Sequence, residues 1–221
     1  MKVKKQEDTI ISMYFINRQD AAFKLLKKME KIRFIEPVVV VGLARGGVEV
    51  AYYIAKGLGR PLDCICPKKI SHPMNPEYAL GAITEYKDIA LNEKGAELMG
   101  IDHHYLMELK EEAYFKAKNK SQIVRKGRKE IQVEEATVLL VDDGLATGLT
   151  MLASIRSMKN KKAKKIIAVA PVASSLALKL IEGECDEIIV GLEDPFLSAV
   201  GEYFEDFSEV KDEVVINYLK T

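Results

Sequence analysis

Three runs in this chain are apolar without alternation: VVVV at 38–41, VLLV at 138–141 and IIAVAPVA at 166–173. A strand with one wet face alternates apolar and polar side chains. One that does not alternate must be covered on both faces, the condition of a parallel sheet with helices above and below it. Strands are accordingly expected at 37–42, 61–70, 137–143, 165–173 and 186–192. The segments between them supply helices. Ala22, Leu25, Leu26 and Met29 recur at helical spacing within 17–32, 46–59 ends in glycines, and 149–160 and 174–184 complete the set. Strand and helix in alternation predict an α/β fold, a doubly wound, mainly parallel sheet with right-handed crossovers.

Two stretches break this rhythm. Residues 71–93 hold His-Pro and Asn-Pro steps and two short β-like pieces, ALGAI and DIALN, which read as a loop and hairpin outside the main sheet. Residues 102–120 carry Leu106, Leu109, Ala113 and Ala117 on one stripe of a long charged helix. The tail after 192 is aromatic and acidic and is expected to pack on the rim, with a last helix.

Lys plus Arg and Asp plus Glu are equal at 33 each, so no global charge points to nucleic acid or to a membrane surface. No apolar run approaches the ~20 residues that span a bilayer. MKVKKQEDTI lacks the apolar segment of a secretory signal. The three cysteines, Cys64, Cys66 and Cys185, form no disulfide framework, and the chain reads as cytoplasmic. Cys64 and Cys66 are expected on opposite faces of their strand, which argues against a metal site there.

In open α/β sheets ligands bind where strands end and helices begin. Two such turns here are rich in chemistry. In VLLVDDGLATGLT, residues 138–150, an apolar strand delivers Asp142 and Asp143 to the sheet edge. Gly144 and Gly148 keep the loop slim, and Thr147 and Thr150 place hydroxyls beside the open N–H groups of a helix start. Such a start holds phosphate through backbone donors and the helix dipole. The carboxylates would repel that phosphate, so they face sugar hydroxyls or a divalent cation. A phosphorylated ribose satisfies both ends. The second turn is GLARGGVEV, residues 42–50, where Arg45-Gly46-Gly47 opens a helix. It fits neither a dinucleotide fingerprint nor a Walker loop.

VLLVDDGLATGLT closely resembles the phosphoribosyl-pyrophosphate (PRPP) fingerprint of type I phosphoribosyltransferases in spacing, order and preceding strand. The succession LARGGVEVA, PLD…KK, NPEYALGAI, LVDDGLATG, PVA and EDPF…YFEDFSEV resembles a subgroup of predicted phosphoribosyltransferases from about residue 14 to 215. The resemblance implies one domain over 1–221. Its core lies at about 37–192, its flexible loop and hairpin at about 71–93, and a small hood runs from about 193 and includes the N-terminal segment.

It also implies Mg²⁺-dependent transfer of a phosphoribosyl group from PRPP to a nitrogenous acceptor, with release of pyrophosphate. Asp142 and Asp143 would bind the ribose diol and touch Mg²⁺ largely indirectly. Gly144, Leu145, Ala146, Thr147, Gly148, Leu149 and Thr150 would cradle the 5-phosphate. Ala44, Arg45, Gly46 and Gly47 would hold the pyrophosphate, with Lys69 rather than Lys68 turned inward beside them. Residues 71–84 fall where the family has a mobile loop that closes over the site, and His72 within them reads as solvated. Ala146 stands where 6-oxopurine enzymes have an aspartate, which disfavours hypoxanthine–guanine salvage. Phe196, Tyr203, Phe204 and Phe207 are taken as the wall of an acceptor pocket, which suits a flat, neutral or basic acceptor. The partners implied are PRPP and a small-molecule acceptor, with no nucleic acid and no membrane, in a homodimer. The alternative is a PRPP- or nucleotide-binding regulator that keeps the fold without turnover.

Overall fold

Val38–Leu43 (β1) and Thr137–Val141 (β6) are buried at every position, as unbroken apolar strands must be. They are neighbours in a five-stranded sheet that also contains Leu62–Ile65 (β2), Lys165–Ala173 (β7) and Glu187–Glu193 (β8), in the order β2-β1-β6-β7-β8. All four pairings are parallel, with Val40 opposite Leu139 and Leu139 opposite Ile167. The computed structural model describes residues 15–220, so the expectation for MKVKKQEDTI concerns residues outside that span.

One face of the sheet packs Ala22, Leu25 and Met29 of Arg18–Met29 (α1) and Val48, Ala51 and Ile54 of Gly46–Leu58 (α2) against Val40, Leu139 and Ile167. Val215 and Ile216 of a late helix, Asp212–Tyr218, join this layer. The other face packs Val39, Leu140 and Ala168 against Met151, Leu152 and Ile155 of the helix Leu149–Asn160. Helix and strand at 149–160 and 165–173 have the bounds read from the sequence.

The expected strand at 61–70 is two. Pro67 supplies no N–H to a ladder, and the chain leaves β2 there to begin Lys68–His72 (β3). This strand pairs antiparallel with Asn75–Ile83 (β4), which pairs with Ile89–Leu91 (β5), a separate three-stranded sheet. Residues 71–84 are therefore largely strand rather than loop. His72 is only 9% exposed, its Nδ1 accepting from the Met74 N–H at 3.2 Å, so it is not solvated.

Ala79, Ala82 and Ala90 let this sheet sit close on the main core. Its other face is covered by Leu106, Ala113 and Tyr114 of a long helix, His103–Arg125. A short helix, Glu93–Leu98 (α3), precedes that one, so His103–Arg125 is α4, Leu149–Asn160 is α5, Ser175–Ile181 is α6 and Asp212–Tyr218 is α7.

Cys64 and Cys66 share one core cluster and a thiol–thiol hydrogen bond. Residues two apart on a strand point the same way, so the expectation of opposite faces is corrected. Among the described residues no cluster of three or more His, Cys, Asp or Glu could hold a metal ion, and no helix is long and apolar enough to cross a membrane.

Glu85, just after β4, accepts from the Cys66 N–H at 2.9 Å through Oε2, while Oε1 is buried without a partner. Burial pushes its carboxyl up to about 7 from an ordinary value of 4.5. The folded chain holds this proton where the unfolded chain has lost it, so stability falls as pH rises through that window and stays lowered above it. Glu85→Gln carries no such penalty. It is expected to be more stable than the parent by about 2–3 kcal/mol at pH 8 and equal to it near pH 4. Urea melts at the two pH values check this, and a pH-independent difference would refute it.

Candidate active site

In the order β2-β1-β6-β7-β8 the chain runs from β1 outward to β2 on one side and from β6 outward on the other. The β1/β6 boundary is thus the point where winding reverses, and in such sheets the crevice opens at the carboxyl ends of those two strands. The two chemistry-rich turns leave β1 and β6 and meet there. They meet without space between them. A Cβ on Gly47 would lie 2.7 Å from the Val141 carbonyl oxygen and 2.8 Å from the Asp142 Cα, and one on Gly46 would lie 1.9 Å from Asp143 Oδ2. No side chain fits at either position, which is why the Arg-Gly-Gly turn can abut the acidic pair. The Ala44–Arg45 peptide bond is cis.

The loop after Asp143 is pinned from beside and below. Leu145 N–H donates to Val172 O at 2.9 Å, and Ser174 N–H donates to Leu145 O at 2.9 Å. Ser174 Oγ donates to Ala146 O at 2.6 Å and also caps α6, accepting from Ala177 N–H at 2.9 Å. Gly148 has φ 77°, a left-handed conformation that glycine adopts freely, and starts α5. Among the described residues, none of the N–H groups from Ala146 to Met151 has a hydrogen-bond acceptor. A row of unpaired donors on a fixed loop at a helix N-terminus can hold an anion. Thr147 is exposed beside them.

The acidic pair is asymmetric. Asp142 Oδ1 accepts from Asp143 N–H at 2.9 Å. Burial and the adjacent Asp143 carboxylate hold the Asp142 carboxyl well above the usual range. Asp143 Oδ2 accepts from Arg18 Nε at 2.8 Å. Arg18 is 6% exposed, donates through Nη1 to Ser208 O at 2.8 Å, lies 3.8 Å from Glu49 Oε2 and stacks 3.9 Å over the Phe207 ring. Burial raises the Glu49 carboxyl, and Arg18 partly offsets this. Arg18 and Ser174 were not anticipated from the sequence. A signal for Arg18 was present. It stands four, seven and eleven residues before Ala22, Leu25 and Met29, so it lies on the buried stripe of α1. A cation on an apolar stripe needs an acidic partner.

Arg45 pairs with Glu209 and lies 3.8 Å from Asp212. Lys69 is the second residue of β3 and so belongs to the outlying sheet, not to an edge of the main one. The four aromatic residues do not make one wall. Tyr203 and Phe204 are 8% and 7% exposed, in a cluster with Phe15 and Val172, and the Tyr203 hydroxyl donates to Asp194. Phe196 is 89% exposed and Phe207 lies under Arg18. Two of the four therefore clasp the N-terminal segment to the tail. A cavity of about 410 Å³ does open beside the loop, walled by Tyr78, Leu91, Asn92, Ala146, Thr147 and Leu176 among others.

The sequence profile described as "Phosphoribosyl transferase domain" matches residues 15–196. Two Mycobacterium tuberculosis proteins, MT0597 (strain CDC 1551 / Oshkosh) and Rv0571c (strain ATCC 25618 / H37Rv), both provisionally named phosphoribosyl transferases, are each 29% identical over 205 residues. That alignment covers 93% of this chain and 46% of each relative, so the chain spans about half their length. The crystal structure of TT1426 from Thermus thermophilus superposes with a TM-score of 0.76 at 32% identity, covering 93% of this chain and 97% of that one. The two abutting turns, the pinned loop with its open N–H groups and these matches agree: the chain belongs to the phosphoribosyl transferase domain family.

Proposed function

We propose that the crevice at the β1/β6 boundary binds PRPP and that the chain transfers its phosphoribosyl group to a nitrogenous acceptor, releasing pyrophosphate. The unpaired N–H groups from Ala146 to Met151, next to an acidic pair, carry this reading, because a phosphate and a diol need those two partners side by side. The 5-phosphate sits on the row of donors, with the Thr147 and Thr150 hydroxyls alongside. The ribose 2- and 3-hydroxyls face Asp142 and Asp143. The diphosphate lies over the Arg45-Gly46-Gly47 turn, with Lys69 as a further candidate.

In the reaction the acceptor nitrogen's lone pair forms a bond to C1 of the ribose as the C1–O bond to diphosphate breaks, and that electron pair leaves with the diphosphate. Positive charge grows on the ring. A carboxylate fixed under the ring opposes it and is most effective where water is excluded. Asp143 is held in orientation by Arg18. Mg²⁺ would supply counter-charge to the substrate's diphosphate. Asp142 and Asp143 would hold the ion largely indirectly. The cavity beside Ala146, largely apolar with Tyr78 and Asn92 at its wall, suits a flat acceptor of low charge. The reading includes a homodimer in the cytoplasm.

One observation favours the regulatory alternative: Arg18 occupies Asp143 and Glu209 occupies Arg45, so both binding ends are engaged by the chain itself. Incubation with PRPP, Mg²⁺ and a panel of nitrogenous bases, following pyrophosphate, separates the two. Release with one acceptor supports transfer. Tight PRPP binding with no release across the panel supports the regulator, and absence of PRPP binding refutes both.

A further inference from the structure

α4 belongs to the outer layer, yet one of its lysines reaches the crevice. Both carboxylate oxygens of Asp212 accept from Lys120 Nζ, at 2.8 and 2.7 Å, and Asp212 Oδ1 also lies 3.8 Å from Arg45 Nη1. Arg45 Nη2 is paired in turn with Glu209 Oε1. One turn back on α4, Lys116 is held by Glu112. Lys68 opens β3 directly after the Pro67 break. Lys68 lines one cavity with Lys69 and Lys116, and burial and the nearby cations Lys116, Lys120, Arg45 and Lys69 lower its pKa, so these cations converge on one region. Lys120 stands seven residues after Ala113 and four before Val124, on the buried stripe of α4, which is why its stem is directed inward.

The two carboxylates at this convergence come from a single segment, residues 209–212, and they sit on the arginine of the turn proposed to hold the diphosphate. Glu209 is the more weakly held of the two. The Glu209 side chain is 73% exposed, and exposed ion pairs contribute little. Asp212 grips Lys120 with two oxygens, as a phosphate group would. A diphosphate carries more charge and more acceptor oxygens than the two carboxylates together.

We propose that Lys120, with Arg45 and Lys68, forms a diphosphate seat reaching from the β1 turn to α4, and that Glu209 and Asp212 are its resident counter-charges, displaced when a diphosphate arrives. This rests on the PRPP reading above and adds to it a binding residue from α4 and a self-competing segment.

Titration calorimetry with inorganic pyrophosphate and with PRPP, both with Mg²⁺, tests it on the full chain. Lys120→Gln should weaken pyrophosphate binding about tenfold or more, the size of one lost charge-assisted contact. Lys120→Arg should stay near the parent. Glu209→Gln should tighten binding roughly two- to fivefold, because a competitor is removed and no ligand contact is lost. Lys120→Gln combined with Asp212→Asn guards against a folding artefact, since it removes both partners of the tie between α4 and α7. The seat predicts that this double variant still binds weakly, whereas a mere tie predicts parental binding. Parental affinity in Lys120→Gln or in the double variant, or unchanged affinity in Glu209→Gln, overturns the proposal and leaves the PRPP reading standing. A parent chain that binds neither pyrophosphate nor PRPP overturns both.

Discussion

Asp143→Asn should lower turnover by on the order of 10²–10³, the usual effect of removing one preorganised electrostatic partner of a transition state. The measurement is pyrophosphate release with whichever acceptor the panel identifies, read as kcat and KM separately. The change should fall on kcat, because ring charge develops only as the leaving group departs. The same substitution has a structural cost. Arg18, 6% exposed, would lose the charge that receives its Nε, keeping only a neutral oxygen there and Glu49 at 3.8 Å. A loss of about 1–3 kcal/mol of stability is expected.

Asp142→Asn should behave differently. Burial and the adjacent Asp143 carboxylate raise the Asp142 carboxyl, so the amide replaces a group whose charged form is disfavoured. A carboxyl whose folded pKa is raised weakens the fold as pH climbs above its unfolded value. The Asn variant should therefore match the parent at acid pH and equal or exceed it at pH 8. If Asp143→Asn keeps parental kcat while its melting temperature drops, Asp143 only anchors Arg18, and the assignment of catalytic charge fails.

Asp63→Ala is expected to be the most destabilising change at a position outside the crevice, by about 3–5 kcal/mol, the range for breaking a buried ion pair from one side. Asp63 is 4% exposed and accepts from Arg125 Nη1 at 2.8 Å, Ile131 N–H at 2.7 Å and Cys64 N–H at 2.8 Å. Arg125 ends α4, and its Nε is already without a partner. Alanine would leave that guanidinium buried, opposed by no carboxylate at this contact, along with two orphaned backbone donors. In a chain of this size the melting temperature should fall by roughly 10 °C or more. Asp63→Ala with Arg125→Met should recover part of the loss, because the uncompensated charge goes too. A loss below about 1 kcal/mol in urea melts, or no recovery in the pair, would mean that α4 is held by its apolar contacts alone.

The sheet was legible because its central strands obey one constraint. Covered on both faces, β1, β6 and β7 are almost wholly apolar, and β7 and α5 could be bounded to the residue. The strand at 61–70 was misread because KKI continues the propensity of LDCIC, and only the missing N–H of Pro67 marks the passage to a second sheet. The acidic pair and the glycine turns were legible since both loops must bring particular groups to a strand end. Tyr203 and Phe204 were not. Aromatic rings suit a clasp and a pocket wall equally, and the choice was made by Phe15, far off in sequence. Arg18 and Lys120 share one overlooked trait: a cation on the apolar stripe of its helix, which makes sense only beside a distant carboxylate.

The rim of the crevice is joined by sequence-distant contacts. Arg18 Nη1 reaches the Ser208 carbonyl across 190 positions, and Phe15 bridges Phe204. Contacts of such range form late, since their loop-closure entropy is paid before they reward it. A growing chain can therefore lay down the five parallel strands before the segment around 204–212 has left the ribosome and docked, and until then Arg45 stands without Glu209 and Asp212 beside it.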